Sequence, residues 1–384
     1  MSVISKAYIK FGSKDFCSGV ISFLSSFYND ERLDEKMDKN SKLFAFTNGV
    51  YDLEKLAFRS IVPTDYISIT TGYEYDSQSN PDIRRQLKAF FFSLFEDEQT
   101  STYLLSILAS CLLGANKFQE FYVFTGSGGN GKSIVTTFMK YVFGLYVVSV
   151  EPSLLTKQTE GPERPCASLV ASKYSRVMIC TEPEASDKLQ VALLKKMTGG
   201  DPISVRTLNS KYMHTFVAMF IPFISANDIP ALSKIDGGIQ RRMKVLKFPF
   251  AFKKECVADF HRRADFDLES KLNTPEWRNE MMLILMEIYP ALKTAPTCPA
   301  VEEQSKDYLD ENNPLKEWLA EHYILGGDNG ILPRELKRSY LEDTRLENID
   351  DKKFSQLLGF NSITKKKSNG VMKYIGLTRK QEQE

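Results

Sequence analysis

Gly126-Ser127-Gly128-Gly129-Asn130-Gly131-Lys132-Ser133 is the stretch whose reading decides the fold. It follows the pattern G-x-x-x-x-G-K-S, and its neighbours suit it. The apolar run Phe121-Tyr122-Val123-Phe124 reads as a strand entering the loop, and a helical stretch leaves it. The chemistry explains the spacing. Glycines let successive backbone N–H groups wrap an anion, and the lysine places a point charge on the β- and γ-oxygens of a triphosphate. The Ser133 hydroxyl is placed to ligate Mg²⁺ beside the partial positive charge of a helix N-terminus. All eight residues form the expected ATP-binding set, with ATP and Mg²⁺ as the expected cofactors.

Working outward, residues 146–150, 177–180, 218–225 and 243–248 also read as short apolar strands. Helical stretches separate them after Gly131, around 166–171 and over 187–197. This alternation predicts an α/β core with a buried sheet over residues 116–250. Residues 1–115 read as a mostly helical domain, with helical apolar spacing over 82–95 and 101–113. One hairpin signal interrupts it, where Phe44-Ala-Phe46 leads through Asn48-Gly49 to Val50-Tyr51. Residues 251–299 read as a helical extension ending in the linker Thr294-Ala-Pro-Thr-Cys-Pro299. Residues 300–384 predict helices over 301–310, 314–323, 333–343 and 352–358, then a basic β-hairpin over 363–377, the pattern of a winged-helix module.

Composition sets limits on this reading. The chain has 384 residues, 42% hydrophobic and 26% charged, enough for one large domain and one or two small ones without disulfide or metal staples. A formal net charge of +1 excludes a uniformly basic surface, so any polyanion-binding surface must be local. The clearest excess is in the tail, where Lys352, Lys353, Lys365, Lys366, Lys367, Lys373, Arg379 and Lys380 face only Asp351, Glu382 and Glu384. No two of Cys17, Cys111, Cys166, Cys180, Cys256 and Cys298 have C-x-x-C spacing, and His214, His261 and His322 form no ligand pattern with them. Reduced, buried thiols and no zinc site are expected. No apolar run approaches the ~18 residues of a membrane span, and no signal peptide is visible. The sequence therefore predicts a soluble, intracellular protein without membrane association.

A triphosphate site needs a carboxylate to help hold the metal and activate water. Arg176-Val-Met-Ile-Cys-Thr181-Glu182-Pro183-Glu184 supplies one, because an apolar strand ends in Glu182. Glu182 is the expected metal and water residue, sharing the metal with Ser133. Glu184 shares the task or takes the base role.

The motifs then combine in order: Gly126 to Ser133, Cys180-Thr-Glu182-Pro-Glu184, Lys195-Lys-Met-Thr-Gly199-Gly200-Asp201-Pro, Ser225-Ala-Asn227-Asp, and Gly238-Ile-Gln-Arg241-Arg242. The set resembles superfamily 3 helicases, and is most similar to the helicase portion of poxvirus-type and phage-plasmid-type primase–helicases. Phe46-Thr-Asn48-Gly49-Val50-Tyr51-Asp52-Leu53 resembles the start of the helical domain that precedes the motor in that group, and the C-terminal portion resembles its winged-helix region.

The resemblance implies an AAA+-like ATPase core between an N-terminal helical domain and a C-terminal winged-helix-like domain. It implies a DNA-replication helicase acting as a hexameric ring on single-stranded or forked DNA, with nucleotide between neighbouring subunits. A primase, on the same chain or separate, and other replication proteins are the implied partners. Asn227 matches the polar sensor at a strand tip. Arg241 and Arg242 match the arginine finger, with a slight preference for Arg242. A hairpin within 203–214 would point into the ring channel, with Lys211 gripping phosphate and Tyr212 or His214 packing on sugar or base. Lys365, Lys366 and Lys367 would contact DNA phosphates from the basic hairpin. Two departures stand out. Many relatives carry two adjacent acids where this chain has Thr181-Glu182, and no clustered upstream acids suggest a primase centre. Two other classes fit a bare phosphate loop: a replication-origin or scaffold factor whose nucleotide only holds a ring together, and a small-molecule kinase. The kinase gives no reason for Asn227 or for Gly199-Gly200-Asp201.

Overall fold

A computed structural model describes residues 10–28, 33–157, 166–206, 213–360, 363, 365–368 and 371–380. Its centre is a five-stranded parallel sheet in the spatial order Met243–Lys247, Phe121–Thr125, Ile221–Ser225, Val177–Thr181, Val147–Val150. Side chains alternate across a strand, and the two faces sort accordingly. Phe121, Val123, Met178, Cys180, Ile224 and Val245 enter one core. Tyr122, Phe124, Ile179, Phe223 and Leu246 enter the other. Both faces are covered, which is why these strands read as continuous apolar runs rather than as apolar–polar alternation.

The second core is closed by the helices Pro81–Ser93, Glu98–Ser110, Lys132–Phe143 and Pro275–Ile288. Their starts are written in the sequence. The Asn80 side chain accepts from the N–H groups of Asp82 and Ile83 with Pro81 in the first turn, and Asp97 accepts from Gln99 and Thr100. Glu280, 1% exposed, joins two of these helices. It pairs with Arg84 and accepts from the Ser79 hydroxyl at 3.0 Å and the Asn80 N–H at 2.6 Å.

Several elements differ from the sequence expectation. The Asn48-Gly49 hairpin forms, but it gains a third strand, giving the antiparallel sheet Leu43–Phe46, Gly49–Asp52, Ala57–Arg59 in a stretch expected to be mostly helical. The two-residue strands Lys188–Leu189 and Ala231–Leu232 pair where the expected helix was to begin. Residues after 250 form a parallel pair, Ala251–Lys253 with His261–Arg263, before helices resume. Strands of two or three residues carry too little periodicity to be read.

The antiparallel hairpin Pro202–Arg206/Met213–Val217 lies between the acidic strand and the strand leading to Asn227. Its tip, with Lys211 and Tyr212, falls outside the described residues. The helix Pro299–Glu311 lies against the edge strand, where the Val245 N–H donates to the Ser305 hydroxyl at 2.8 Å. Beyond it, the helices Pro314–His322, Pro333–Thr344 and Asp351–Phe360 pack around Trp318, Tyr340, Phe354 and Tyr374. They share this small core with a three-stranded antiparallel sheet ordered Tyr323–Ile331, Val371–Arg379, Lys365–Ser368.

Residues up to 40, with 61–68, form a second compact unit. Within it the Asp38 N–H donates to the Tyr66 carbonyl at 2.7 Å, and the Ser68 N–H donates to Asp38 at 2.8 Å. The helix Lys14–Tyr28 has no buried residue. Among the described residues, no helix is long and apolar enough to cross a membrane.

Candidate functional site

The strand Phe121–Thr125 delivers the chain to the glycine loop at the carboxyl edge of the sheet, where open α/β sheets hold their ligands. Gly126 has φ 137°, and a Cβ there would lie 2.4 Å from Asn130 Nδ2 and 2.5 Å from the Phe248 carbonyl. Gly131 has φ 91°, and its Cβ would meet Leu94 Cδ2 at 2.6 Å. Both spaced glycines of the pattern are therefore fixed by backbone conformation and by close approach.

Lys132 opens the helix that follows and is 3% exposed. Its ammonium donates to the Gly126 carbonyl at 2.7 Å, Asn130 Oδ1 at 3.1 Å and Asn227 Oδ1 at 3.0 Å. These partners are all neutral. Burial pushes the Lys132 pKa down, and the Glu182 charge partly offsets this. Asn130 is 2% exposed, and its Nδ2 has no hydrogen-bond partner among the described residues. An orphaned donor beside a buried ammonium is the arrangement an anion would complete.

Glu182 follows the last strand residue and takes the left-handed conformation, φ 53°, its N–H donating to the Ser225 carbonyl at 2.8 Å. A non-glycine residue held there carries strain of about 1–3 kcal/mol, of the kind concentrated at functional sites. Lys132, Ser133, Glu182 and Asn227 all open on one cavity of about 620 Å³, within the usual range for small-molecule pockets. Glu184 does not line it. Its N–H donates to Asp187 at 3.3 Å, and its carboxylate accepts from the Ser186 hydroxyl at 3.4 Å. Among the described residues, no three His, Cys, Asp or Glu side chains cluster as metal ligands. A cation at Ser133 and Glu182 would take its remaining ligands from water and substrate oxygens, which is how Mg²⁺ is usually held.

The two arginines lie elsewhere. Met243–Lys247 runs parallel to Phe121–Thr125 in register, and the Phe121 N–H donates to the Arg242 carbonyl at 2.8 Å. Arg241 and Arg242 therefore sit at the amino edge of the sheet, one strand length from Gly126, about 16 Å. Arg242 is 7% exposed, donating to the Gly238 carbonyl at 2.9 Å and to Gln119 Oε1 at 3.4 Å. Arg241 is exposed. Nearby, Lys195 pairs with Asp236 at 2.9 Å, and Asp236 caps the short helix Gly237–Gln240 that leads to the arginines.

The candidate nucleic-acid contacts are spread widely. His214 is half-buried opposite Val205. Lys365, Lys366 and Lys367 lie on a strand rather than in a turn. The Lys365 ammonium donates to the Ser355 hydroxyl at 3.1 Å and lies 5.1 Å from the Tyr374 ring centre. Lys366 stands directly opposite Lys373. The far wall of the cavity, formed by Phe90, Phe252, Phe266 and Glu269 among others, carries no sequence motif and escapes sequence reading.

Comparison with known proteins gives consistent results. The family described as "D5 N terminal like" matches residues 11–92. A candidate helicase of Acanthamoeba polyphaga mimivirus is 30% identical over 360 residues, covering 83% of this chain and 37% of that protein. A candidate helicase of Invertebrate iridescent virus 3 is 27% identical, covering 62% of this chain and 26% of its own length. A candidate primase of African swine fever virus is 20% identical, covering 84% and 35%. The chain thus spans between about a quarter and little more than a third of the length of these relatives. Among solved structures, the apo C terminal region of NrS-1 superposes with a TM-score of 0.43 at 13% identity, covering 79% of this chain and 78% of that one.

Proposed function

Since the chain belongs to the primase–helicase family of large DNA viruses and corresponds to its helicase portion, we propose that it is an ATP-driven DNA helicase of the superfamily 3 type, working as a ring in DNA replication. One observation carries this reading. Lys132, Ser133, Glu182 and Asn227 converge on a single cavity, while the exposed Arg241 stands at the opposite end of the same sheet.

The loop amides, Asn130 Nδ2 and Lys132 bind the triphosphate of ATP. Lys132 exchanges its three neutral acceptors for charged phosphate oxygens, which restores the stability of its ammonium lost on burial. Ser133 and Glu182 would hold Mg²⁺, which would supply charge neutralisation at the phosphate oxygens. Asn227, released from Lys132, orients the attacking water, and Glu182 accepts its proton, with Glu184 one short step behind on the same loop.

Arg241 is too far from its own loop to serve it. It stabilises the transferring phosphoryl group of the neighbouring subunit, which makes the active site a property of the assembly. Arg242, tied to Gly238 and Gln119, instead holds the backbone that presents Arg241. DNA is met by the hairpin carrying Lys211, Tyr212 and His214. It is also met by the C-terminal module, read as a winged helix, through Lys366 and Lys367 together with Lys373, whereas Lys365 is held on Ser355 and Tyr374.

The test is whether single-stranded DNA stimulates ATP hydrolysis by the purified chain and whether that hydrolysis drives strand separation of a fork. Tight nucleotide binding without turnover would return the chain to a scaffold role.

A further inference from the structure

The cavity is larger than its polar end. Lys132, Asn130, Asn227 and Glu182 account for one side of it. The other side is built from the flank of the Pro81–Ser93 helix and from residues 252–277, and it is mainly apolar. Phe90, Phe252, Leu268 and Trp277 give carbon, while Asp265, Glu269 and Arg263 give charge of both signs. Its apolar surface suits a planar base and a sugar rather than a phosphate. Aromatic faces stack any nucleobase. Ionised carboxylates only accept hydrogen bonds, and ribose hydroxyls donate them. Asp265 is already engaged, taking the Lys271 ammonium at 2.7 Å and the Asp267 N–H at 3.0 Å. Glu269 has no side-chain partner among the described residues.

This wall is fastened to the phosphate loop. The Phe252 N–H donates to the Gly129 carbonyl at 2.8 Å, and the Ala264 N–H donates to the Lys253 carbonyl at 3.0 Å. The Arg262 guanidinium lies 3.8 Å from the Phe250 ring centre, and its Nη2 pairs with Glu96 at 2.6 Å. Loop, strap and helical layer are thus held in one register. Phe266 stands at the rim, 74% exposed, an apolar ring in water beside an apolar slot.

Resting on the reading of the loop as an ATP site, we propose that the helix flank and the strap form the nucleoside half of that site. The base stacks on the Phe90–Phe252 side, Phe266 closes over it, and Glu269 accepts from the ribose hydroxyls. The strap after the edge strand is the element that tells a nucleotide from a bare polyphosphate.

Calorimetric titration of the full chain with ATPγS and with inorganic tripolyphosphate, each with Mg²⁺, tests this. The wild-type chain is expected to bind ATPγS at least ~30-fold more tightly than tripolyphosphate, and Phe266→Ala to shrink that ratio by roughly fivefold through ATPγS alone. Glu269→Gln is expected to shrink it by a smaller factor in the same way. Phe266 is exposed, so its removal leaves the fold intact. Equal affinity for the two ligands, or an equal loss of both in Phe266→Ala, would overturn the nucleoside half while leaving the phosphate loop in place. Uptake of neither ligand would remove the phosphate-loop reading itself and this inference with it.

Discussion

The carboxyl end of the central sheet gathers polar groups that open on a cavity, whereas the amino end gathers polar groups tied mostly to their own neighbours. At the carboxyl end, Lys132 is buried against neutral acceptors, Asn130 Nδ2 lacks a partner among the described residues, and Glu182 is held at positive φ. At the amino end, Lys195 is paired with Asp236, Asp236 caps a helix, and Arg242 is buried on Gly238 and Gln119, only its Nε lacking a partner among the described residues. Arg241, its neighbour, is exposed. Burying polar groups without full satisfaction costs about 1–3 kcal/mol each, and at the carboxyl end the cavity leaves room for a ligand to offset it. On the proposed reading, one end receives the nucleotide and the other presents an arginine to the neighbouring subunit.

The largest expected effect comes from the first end. Lys132→Ala removes the charge the cavity is built around, and ATP turnover should fall to background in a phosphate-release assay. Retained turnover would break the comparison at its root. Arg241→Ala comes next. It should leave nucleotide affinity unchanged while lowering kcat by ~10³ or more, the range of arginine fingers. Mixing the two inactive variants sharpens the point. A ring containing both has interfaces where an intact Lys132 meets an intact Arg241, so the mixture should regain part of the activity. No recovery from a mixture shown to co-assemble would argue against action between subunits. Arg242→Ala should behave differently from its neighbour. It strands the Gly238 carbonyl and Gln119, so the main loss is stability, of about 1–3 kcal/mol, read as a lower midpoint in thermal unfolding.

The sequence made the first end legible and the second only half so. The loop pattern and Glu182 carry their chemistry in fixed spacing, and the five parallel strands announce themselves because burial on both faces leaves them uniformly apolar. Arg241 and Arg242 are indistinguishable as letters. Only the hydrogen bonds of Arg242 and the parallel register of its strand with Phe121–Thr125 separate them. The strap over residues 251–263 was hidden for another reason. Its strands are three residues long, and its position is set by a hydrogen bond to Gly129, which lies more than a hundred positions away in the chain. The third strand of the N-terminal sheet, Ala57–Arg59, was missed on the same grounds.

A smaller effect should appear on titration. Burial lowers the Lys132 pKa in the free protein, and a bound triphosphate favours the charged form. Affinity for ATPγS should therefore be full where the free ammonium is protonated. It should fall as pH rises through that lowered value, beginning below the usual lysine range near about 10.4. An affinity that holds flat until the ordinary lysine range would show that burial does not depress this ammonium.

The smallest effect belongs to the C-terminal sheet, which repeats the contrast in miniature. Lys365 is engaged with Ser355 and Tyr374, whereas Lys366 stands opposite Lys373. Like charges directly across a strand pair are unfavourable, so this face gains from a polyanion in a way the Lys365 face does not. Replacing Lys366 and Lys373 together by Ala should weaken DNA binding several-fold and reduce the slope of log affinity against log salt by roughly two, one for each phosphate that the pair neutralises. Lys365→Ala should change that slope little. If the two substitutions give equal slopes, the cross-strand pair has no special part in holding DNA, and the module's contribution would be diffuse charge alone.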